Sequence, residues 1–269
     1  MQTNLLPQSI IHRIIEYELK KPHSERIFPI PVAFIVIWLA VMISMPFIER
    51  HMGRKAFIYS INLSVLIQAF VVFILLIRSL GTSKVITISA QILFLTWLIE
   101  AIGVYTGFPF GSYKYTSRLQ PQILNVPILI PFAWLMMLPP SWAIAYRITG
   151  GNYGIRFILI SGIAFTAWDL FLDPQMIRWG LWIWQTHGFY FGIPLSNFLG
   201  WFISAVLITV IIHPPKIPIR PLFLIYALTW IMETVGLLKF WKLTIPAFMG
   251  FIGMGIFVVS AYLSHPKDR

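Results

Sequence analysis

Eight apolar stretches separated by polar joints dominate the hydrophobic pattern of this chain. A helix needs roughly 20 apolar residues to cross the hydrocarbon core of a bilayer, and each stretch is close to that length. The pattern therefore predicts about eight transmembrane helices. The predicted spans cover residues 28–48, 56–78, 85–105, 127–147, 155–173, 194–213, 221–239 and 244–263.

Two of the joints, 106–126 and 174–193, are too long for tight turns and are rich in aromatic residues. Trp and Tyr are enriched where a membrane meets water, so we expect both joints to pack on the membrane face or to dip into it. Residues 9–19 place their isoleucines near one helical face, which predicts an interfacial amphipathic helix. The chain is thus divided into an N-terminal interfacial segment, 1–27, and a single transmembrane domain, 28–265.

The composition agrees with a membrane protein. Of the 269 residues, 58% are hydrophobic and only 11% are charged, against about 25% charged in soluble domains. We therefore predict an all-α, polytopic integral membrane helical bundle. The net charge of +11 is spread over the joints, which is typical of topology signals and not of a nucleic-acid partner. With the N-terminus inside, 12 of the 20 Lys and Arg residues lie on the inner side, which favours a cell-membrane protein with a cytoplasmic N-terminus.

Four of the nine acidic residues, Glu100, Asp169, Asp173 and Glu233, lie within or at the end of predicted spans. An acid inside a membrane is costly, so each one is a functional-site hypothesis. Lys and Arg occur in these three spans only at the ends, as Arg156 and Lys239, and neither lies within one helical turn of an acid. Measured from the starts of the third, fifth and seventh spans, Glu100, Asp169 and Glu233 lie at a common depth of about 18–23 Å. We predict that the four carboxyl groups form one catalytic site.

Asp169 and Asp173 are four residues apart and share one face of a helix. Pro174 follows, and a residue before proline is pushed out of helical geometry, so we expect Asp173 to mark a helix end that water reaches. Burial and a second nearby acid both favour the neutral carboxyl, which can act as a general acid. The structural alternative is that these acids only hold helices together through hydrogen bonds.

Other polar and aromatic residues are candidates for positioning substrate and water. Aromatic faces stabilise cations, and hydroxyl, imidazole and amide groups orient water. The candidates are Trp97, Trp168, Trp230, Tyr113, Tyr115, His187, Asn62 and Asn197. The segments Thr96–Gly103 and Thr229–Gly236 match at four of eight positions, which suggests a weak repeat relating the third and seventh spans.

Several segments closely resemble the carotenoid biosynthesis membrane family of bacteria and archaea, whose characterised members are CruF-type carotenoid 1,2-hydratases. The resemblance runs from about Glu100 to Trp201. It is carried by Thr106–Tyr115 (TGFPFGSYKY), Val126–Met137 (VPILIPFAWLMM), Ala167–Pro174 (AWDLFLDP) and Trp182–Asn197 (WIWQTHGFYFGIPLSN). It implies water addition across the terminal C1=C2 double bond of an acyclic (ψ) carotenoid end group, giving a tertiary alcohol. The resemblance implies a lipophilic substrate that enters from the bilayer. It also implies membrane lipids as partners and no cofactor.

Three functions stay open at this level. In a hydratase, Asp169 or Asp173 protonates the double bond, and Glu100 or Glu233 accepts a proton from water. The Asp169/Asp173 spacing is also similar to that of membrane prenyltransferases, which bind a diphosphate through Mg²⁺, although the sequence contains only one such motif. Buried acids also serve as proton relays in carriers. The histidines form no cluster and the chain has no cysteine, so we expect no bound metal.

Overall fold

The computed structural model of the protein describes residues 29–264 and consists almost entirely of helices. Within these residues, seven helices are long and apolar enough to cross a membrane. The elements, in chain order, are α1 (Pro29–Leu80), α2 (Thr82–Thr106), β1 (Tyr113–Tyr115), β2 (Gln122–Ile123), β3 (Val126–Pro127), α3 (Leu129–Ile148), α4 (Ile155–Trp179), β4 (Trp182–Trp184), α5 (Leu195–Ile212), α6 (Ile219–Gly236), a π-helical turn (Leu237–Trp241) and α7 (Thr244–Leu263). The predicted helical membrane bundle is confirmed.

Helix α1 is folded back on itself at Gly53. This residue has φ 82° and ψ 177°, a conformation outside the helical region that glycine adopts without a Cβ clash. The two arms, 29–52 and 54–80, then pack side by side. The Trp38 indole donates a hydrogen bond to the Ser64 hydroxyl (3.1 Å), and the rings of Phe34 and Phe70 lie 4.9 Å apart. The first two predicted spans therefore occur as antiparallel arms of one kinked helix.

Helices α3 and α4 form the centre of the bundle. In the most apolar stretch of α3, 83% of the residues are buried, more than in any other described span. Helix α4 packs against α3, α5 and α7, and α3 also packs against α1 and α6. The candidate acids on α4 are therefore surrounded by protein. The predicted N-terminal segment, 1–27, lies outside the described residues, and the weak repeat stays a prediction.

The expected helix end at Asp173 is wrong, because α4 continues through Pro174 to Trp179. Proline lacks the N–H that would bond to the carbonyl four residues earlier, that of Leu170. The Tyr190 hydroxyl donates to this carbonyl instead, at 2.8 Å. Asp173 is consequently a buried residue within the helix, only 1% exposed, and not a water-accessible terminus.

The two long aromatic joints pair with each other. Strands β1 and β4 form an antiparallel sheet in which Tyr113 lies opposite Trp184 and Tyr115 lies opposite Trp182. The first joint also packs closely on α5, since a Cβ on Gly200 would lie 2.9 Å from the backbone oxygen of Pro109. The joints thus form a small cap held to the helix ends, and their depth in the membrane stays a prediction.

Candidate active site

A buried amide bridges the two aspartates of α4. Asp169 and Asp173 project from one face of the helix, and Asn197 faces them from the first turn of α5. The Asn197 side-chain nitrogen donates to Asp169 Oδ2 at 2.7 Å and to Asp173 Oδ2 at 2.6 Å. All three side chains are at least 98% buried. The two hydrogens of one amide therefore hold the two carboxyl groups in a fixed relation.

Strand β4 supplies two further donors to Asp173. Side chains alternate along a strand, so Trp182 and Trp184 face inward while Ile183 is exposed. Both indole N–H groups donate to Asp173 Oδ1, that of Trp184 at 3.3 Å. From the described residues, Asp173 thus accepts three hydrogen bonds, two from the cap and one from α5.

Strand β1 holds Glu100 of α2 in the same way. The hydroxyls of Tyr113 and Tyr115, two residues apart on β1, donate to Glu100 Oε2 at 2.5 and 2.8 Å. Burial, followed by the neighbouring charge of Glu100, raises the pKa of both tyrosines well above its ordinary value. Both phenols therefore keep their protons and remain donors at neutral and moderately alkaline pH.

Glu100 and Asp173 line one small cavity. Its volume of about 30 Å³ exceeds the roughly 10–15 Å³ that a water molecule requires. Its walls otherwise consist mainly of aromatic rings and include Trp134, Trp182, Trp184 and Trp201. Asp169 does not line this cavity; its Oδ1 is buried and accepts no hydrogen bond from the described residues. We call this space the acid cavity.

Glu233 lies beside a second, larger cavity. Its Oε2 accepts a hydrogen bond from the Gln175 side-chain nitrogen at 2.7 Å. Both residues line a space of about 270 Å³ between α1, α4 and α6, which we call the chamber. Leu172 lines both the chamber and the acid cavity. The structure therefore brings Glu100, Asp169 and Asp173 together, and it places Glu233 in the neighbouring space.

Comparison with known proteins places the chain in a family. Residues 60–257 match the family described as "Carotenoid biosynthesis protein", which is well over half of the chain. The chain belongs to this family. Bisanhydrobacterioruberin hydratase of Haloarcula japonica is 32% identical over 109 residues, which are 39% of this chain and 37% of that relative. The match thus spans well under two thirds of the relative's length. No solved structure matches the chain.

The remaining predicted residues of this multi-pass carotenoid biosynthesis family member lie in different places. Trp168 lines the chamber, 1% exposed. Trp97 donates to the Ile123 carbonyl and Trp230 to that of Phe251, and neither lines a cavity described above. His187 is exposed in the cap. Asn62 is half-buried on α1, and its Oδ1 has no hydrogen-bond partner among the described residues. Their assigned roles stay predictions.

Three polar contacts of the acids were missed by the sequence analysis: Trp182, Trp184 and Gln175. The Trp-Ile-Trp alternation offers a signal for the first two, because residues two apart in an extended segment face the same side. No signal marks Gln175, whose partner Glu233 is 58 residues away. Within residues 29–264, no group of three or more His, Asp or Glu side chains has the arrangement of a metal site.

Proposed function

We propose that this protein is a carotenoid hydratase that adds water across the terminal C1=C2 bond of an acyclic ψ end group, giving a tertiary alcohol. The observation that carries the proposal is the acid cavity, where two carboxyl groups face a water-sized space walled by aromatic rings. The family membership and the hydratase relative support the same reaction class. We also propose that the protein lies in the cell membrane with a cytoplasmic N-terminus, as the basic residues favour.

The reaction requires a general acid that protonates the double bond. It also requires a general base that accepts a proton from the attacking water molecule. We assign the acid to Asp173, supported by Asp169, because two buried carboxyl groups one helical turn apart repel each other when both are ionised, which favours a pair that retains one proton. Asp173 gives this proton to C2, and the positive charge develops at C1. Water then attacks C1 and loses a proton to Glu100. The proton passes back to the Asp pair, so the enzyme is unchanged after each turnover.

The walls of the cavity suit the cation formed between these steps. A tertiary carbocation has no hydrogen-bond donor, so it is stabilised by aromatic faces and carboxylates. The rings of Trp182 and Trp184 are held in place by their hydrogen bonds to Asp173. Tyr113 and Tyr115 hold the Glu100 carboxyl through Oε2, which leaves Oε1 to receive the proton of the attacking water.

Expression in a host that accumulates lycopene tests this proposal. Mass spectrometry of the pigments is expected to show a gain of one water for each hydrated end group. Asp173→Asn and Glu100→Gln are each expected to lower product by at least about a hundredfold, the lower range for loss of a general acid or base. Lys114→Gln, on the exposed face of β1, is the control for folding of the cap. Full activity in both acid variants at matched expression would overturn the assignment.

The two alternative functions make different predictions. A prenyltransferase requires Mg²⁺ and releases diphosphate, whereas the proposed hydration proceeds in EDTA. A proton-coupled carrier moves protons in proteoliposomes when its solute is added, without changing the mass of the pigment. The same purified protein serves all three assays.

A further inference from the structure

Exposed apolar residues lie at one side of the chamber. Three apolar residues at its rim, Ile43 on α1, Val235 on α6 and Phe240 in the π-helical turn, are 56%, 45% and 46% exposed. In a membrane-spanning bundle, exposed apolar side chains of this kind face hydrocarbon. The π-helical turn shapes this rim: it folds Trp241 back so closely that a Cβ on Gly236 would lie 2.8 Å from its ring. A molecule dissolved in the bilayer can therefore enter between α1 and α6.

The lining of the chamber is flexible and polarizable. Five of the chain's 10 methionines line it, together with four tryptophans: Met42, Met45, Met136, Met176, Met232, Trp38, Trp168, Trp179 and Trp241. Methionine sulfur is polarizable and its side chain adapts to irregular shapes, and indole rings offer flat faces. This combination suits a long, flat, conjugated hydrocarbon.

The polar groups in the chamber wall bond mainly to one another. Gln68 donates to Thr229 (3.1 Å), whose own hydroxyl donates to the Ile225 carbonyl. Gln175 donates in turn to Glu233. Because these donors are already used, a hydrocarbon ligand leaves them satisfied. The Trp168 indole N–H, also in the chamber wall, has no hydrogen-bond partner among the described residues.

Only a thin partition separates the chamber from the acid cavity. Leu172 lines both spaces and precedes Asp173 directly in α4. Beside it, Trp168 of the chamber contacts Trp201 of the acid cavity edge to face, with ring centroids 5.9 Å apart. A leucine side chain changes rotamer without any backbone movement, so this partition can open.

We propose that the chamber binds the chain of a conjugated isoprenoid hydrocarbon that enters from the bilayer, and that Leu172 is the partition that its end group must pass to reach Asp173 and Glu100. This inference deepens the proposed hydratase function and rests on it for the role of Leu172. The binding of the hydrocarbon in the chamber does not depend on any reaction.

Blocking the rim tests the chamber. Val235→Trp narrows the opening, whereas Ile231→Trp adds the same ring one turn away, at an exposed position that does not line the chamber. In phosphatidylcholine nanodiscs, lycopene binding is followed by quenching of tryptophan fluorescence. Val235→Trp is expected to weaken binding by about tenfold or more relative to Ile231→Trp. Equal lycopene affinity in the two variants would show that the chamber is not the binding site. Competition with saturated squalane measures whether the unmodified protein prefers a conjugated chain, and equal affinity for squalane and lycopene would overturn that assignment.

Filling the partition tests Leu172. Leu172→Trp and the milder Leu172→Phe are expected to lower the hydration rate by about tenfold or more beyond any change in lycopene Kd, each compared with its Leu159 control. The controls are Leu159→Trp and Leu159→Phe, on the exposed face of α4. The role of Leu172 as a partition is contradicted if a folded variant loses binding and hydration in parallel. It is also contradicted if hydration is unchanged.

The two levels of the proposal fail separately. If the unmodified protein binds lycopene but produces no hydrated pigment, the proposed hydratase function and the role of Leu172 are wrong. The comparison of Val235→Trp with Ile231→Trp then still tests whether lycopene binds in the chamber. If hydration occurs but Val235→Trp and Ile231→Trp bind lycopene equally, the hydratase function stands and the assignment of the chamber as the binding site is wrong.

Discussion

The Tyr190 hydroxyl donates a hydrogen bond of 2.8 Å to the backbone oxygen of Leu170, the acceptor that Pro174 leaves without its usual helical partner. Burial, followed by the charges of Asp169 and Asp173, raises the pKa of Tyr190, so this hydroxyl remains a donor. The cap thereby completes the helix that carries both aspartates. Cap and acids form one structural unit, although they are separate in the sequence.

Tyr190→Phe removes this hydrogen bond while keeping the ring. We expect the free energy of unfolding to fall by about 1 kcal/mol, the typical net contribution of one hydrogen bond. Thermal unfolding in detergent, followed by intrinsic tryptophan fluorescence, measures the change. Tyr262→Phe, at an exposed position on α7, is the control. Equal melting temperatures for the two variants would show that Leu170 does not need this donor.

Asn197→Leu and Asn62→Leu are expected to differ in their effects on stability and on pigment hydration. Asn197→Leu removes the amide that bridges Asp169 and Asp173, so it leaves buried carboxyl oxygens unpaired, at a cost of about 1–3 kcal/mol. Asn62→Leu removes an amide oxygen that has no partner among the described residues, so it is expected to be neutral or slightly stabilising. Melting temperatures and pigment hydration are measured for both. A larger loss from the Asn62 variant contradicts the bridging role.

Trp182→Phe and Trp184→Phe each remove one donor to Asp173. The Trp182 bond is the shorter of the two, so we expect the hydration rate to fall by about tenfold in its variant and by less in the Trp184 variant. Ile183→Ala, on the exposed face of the same strand, serves as the matched control. The reverse order, or a comparable loss in the Ile183 variant, would mean that the cap acts through its packing and not through these bonds.

Alkaline pH is expected to destabilise the protein partly through Tyr113 and Tyr115. Their pKa values are raised in the folded state, so the stability they contribute is fully present below pH about 10 and falls as pH rises above it. The double variant Tyr113→Phe and Tyr115→Phe should therefore show a shallower decline in melting temperature between about pH 8 and 11. The exposed Tyr59→Phe variant keeps the full decline. Identical slopes would contradict this assignment.

Periodic and apolar patterns in the sequence were sufficient to predict most of the helices. Spans such as 244–263 coincide with the observed helix because burial in a bilayer imposes a simple length requirement. The end of α4 could not be predicted, because the group that replaces the missing bond at Pro174 comes from Tyr190, on a different segment. Proline rules describe a helix by itself, whereas this helix is completed by the cap.

The sequence by itself determined that this protein crosses a membrane many times, that unpaired acids lie within its spans, and that its aromatic joints resemble those of carotenoid hydratases. Only the tertiary structure decided which acids belong together. Helical spacing relates Asp169 to Asp173, but it cannot show that Glu100 and Asp173 line one cavity and that Glu233 faces the chamber beyond Leu172. Those relations depend on how helices rotate and pack against one another, and short-range patterns contain no information about that rotation.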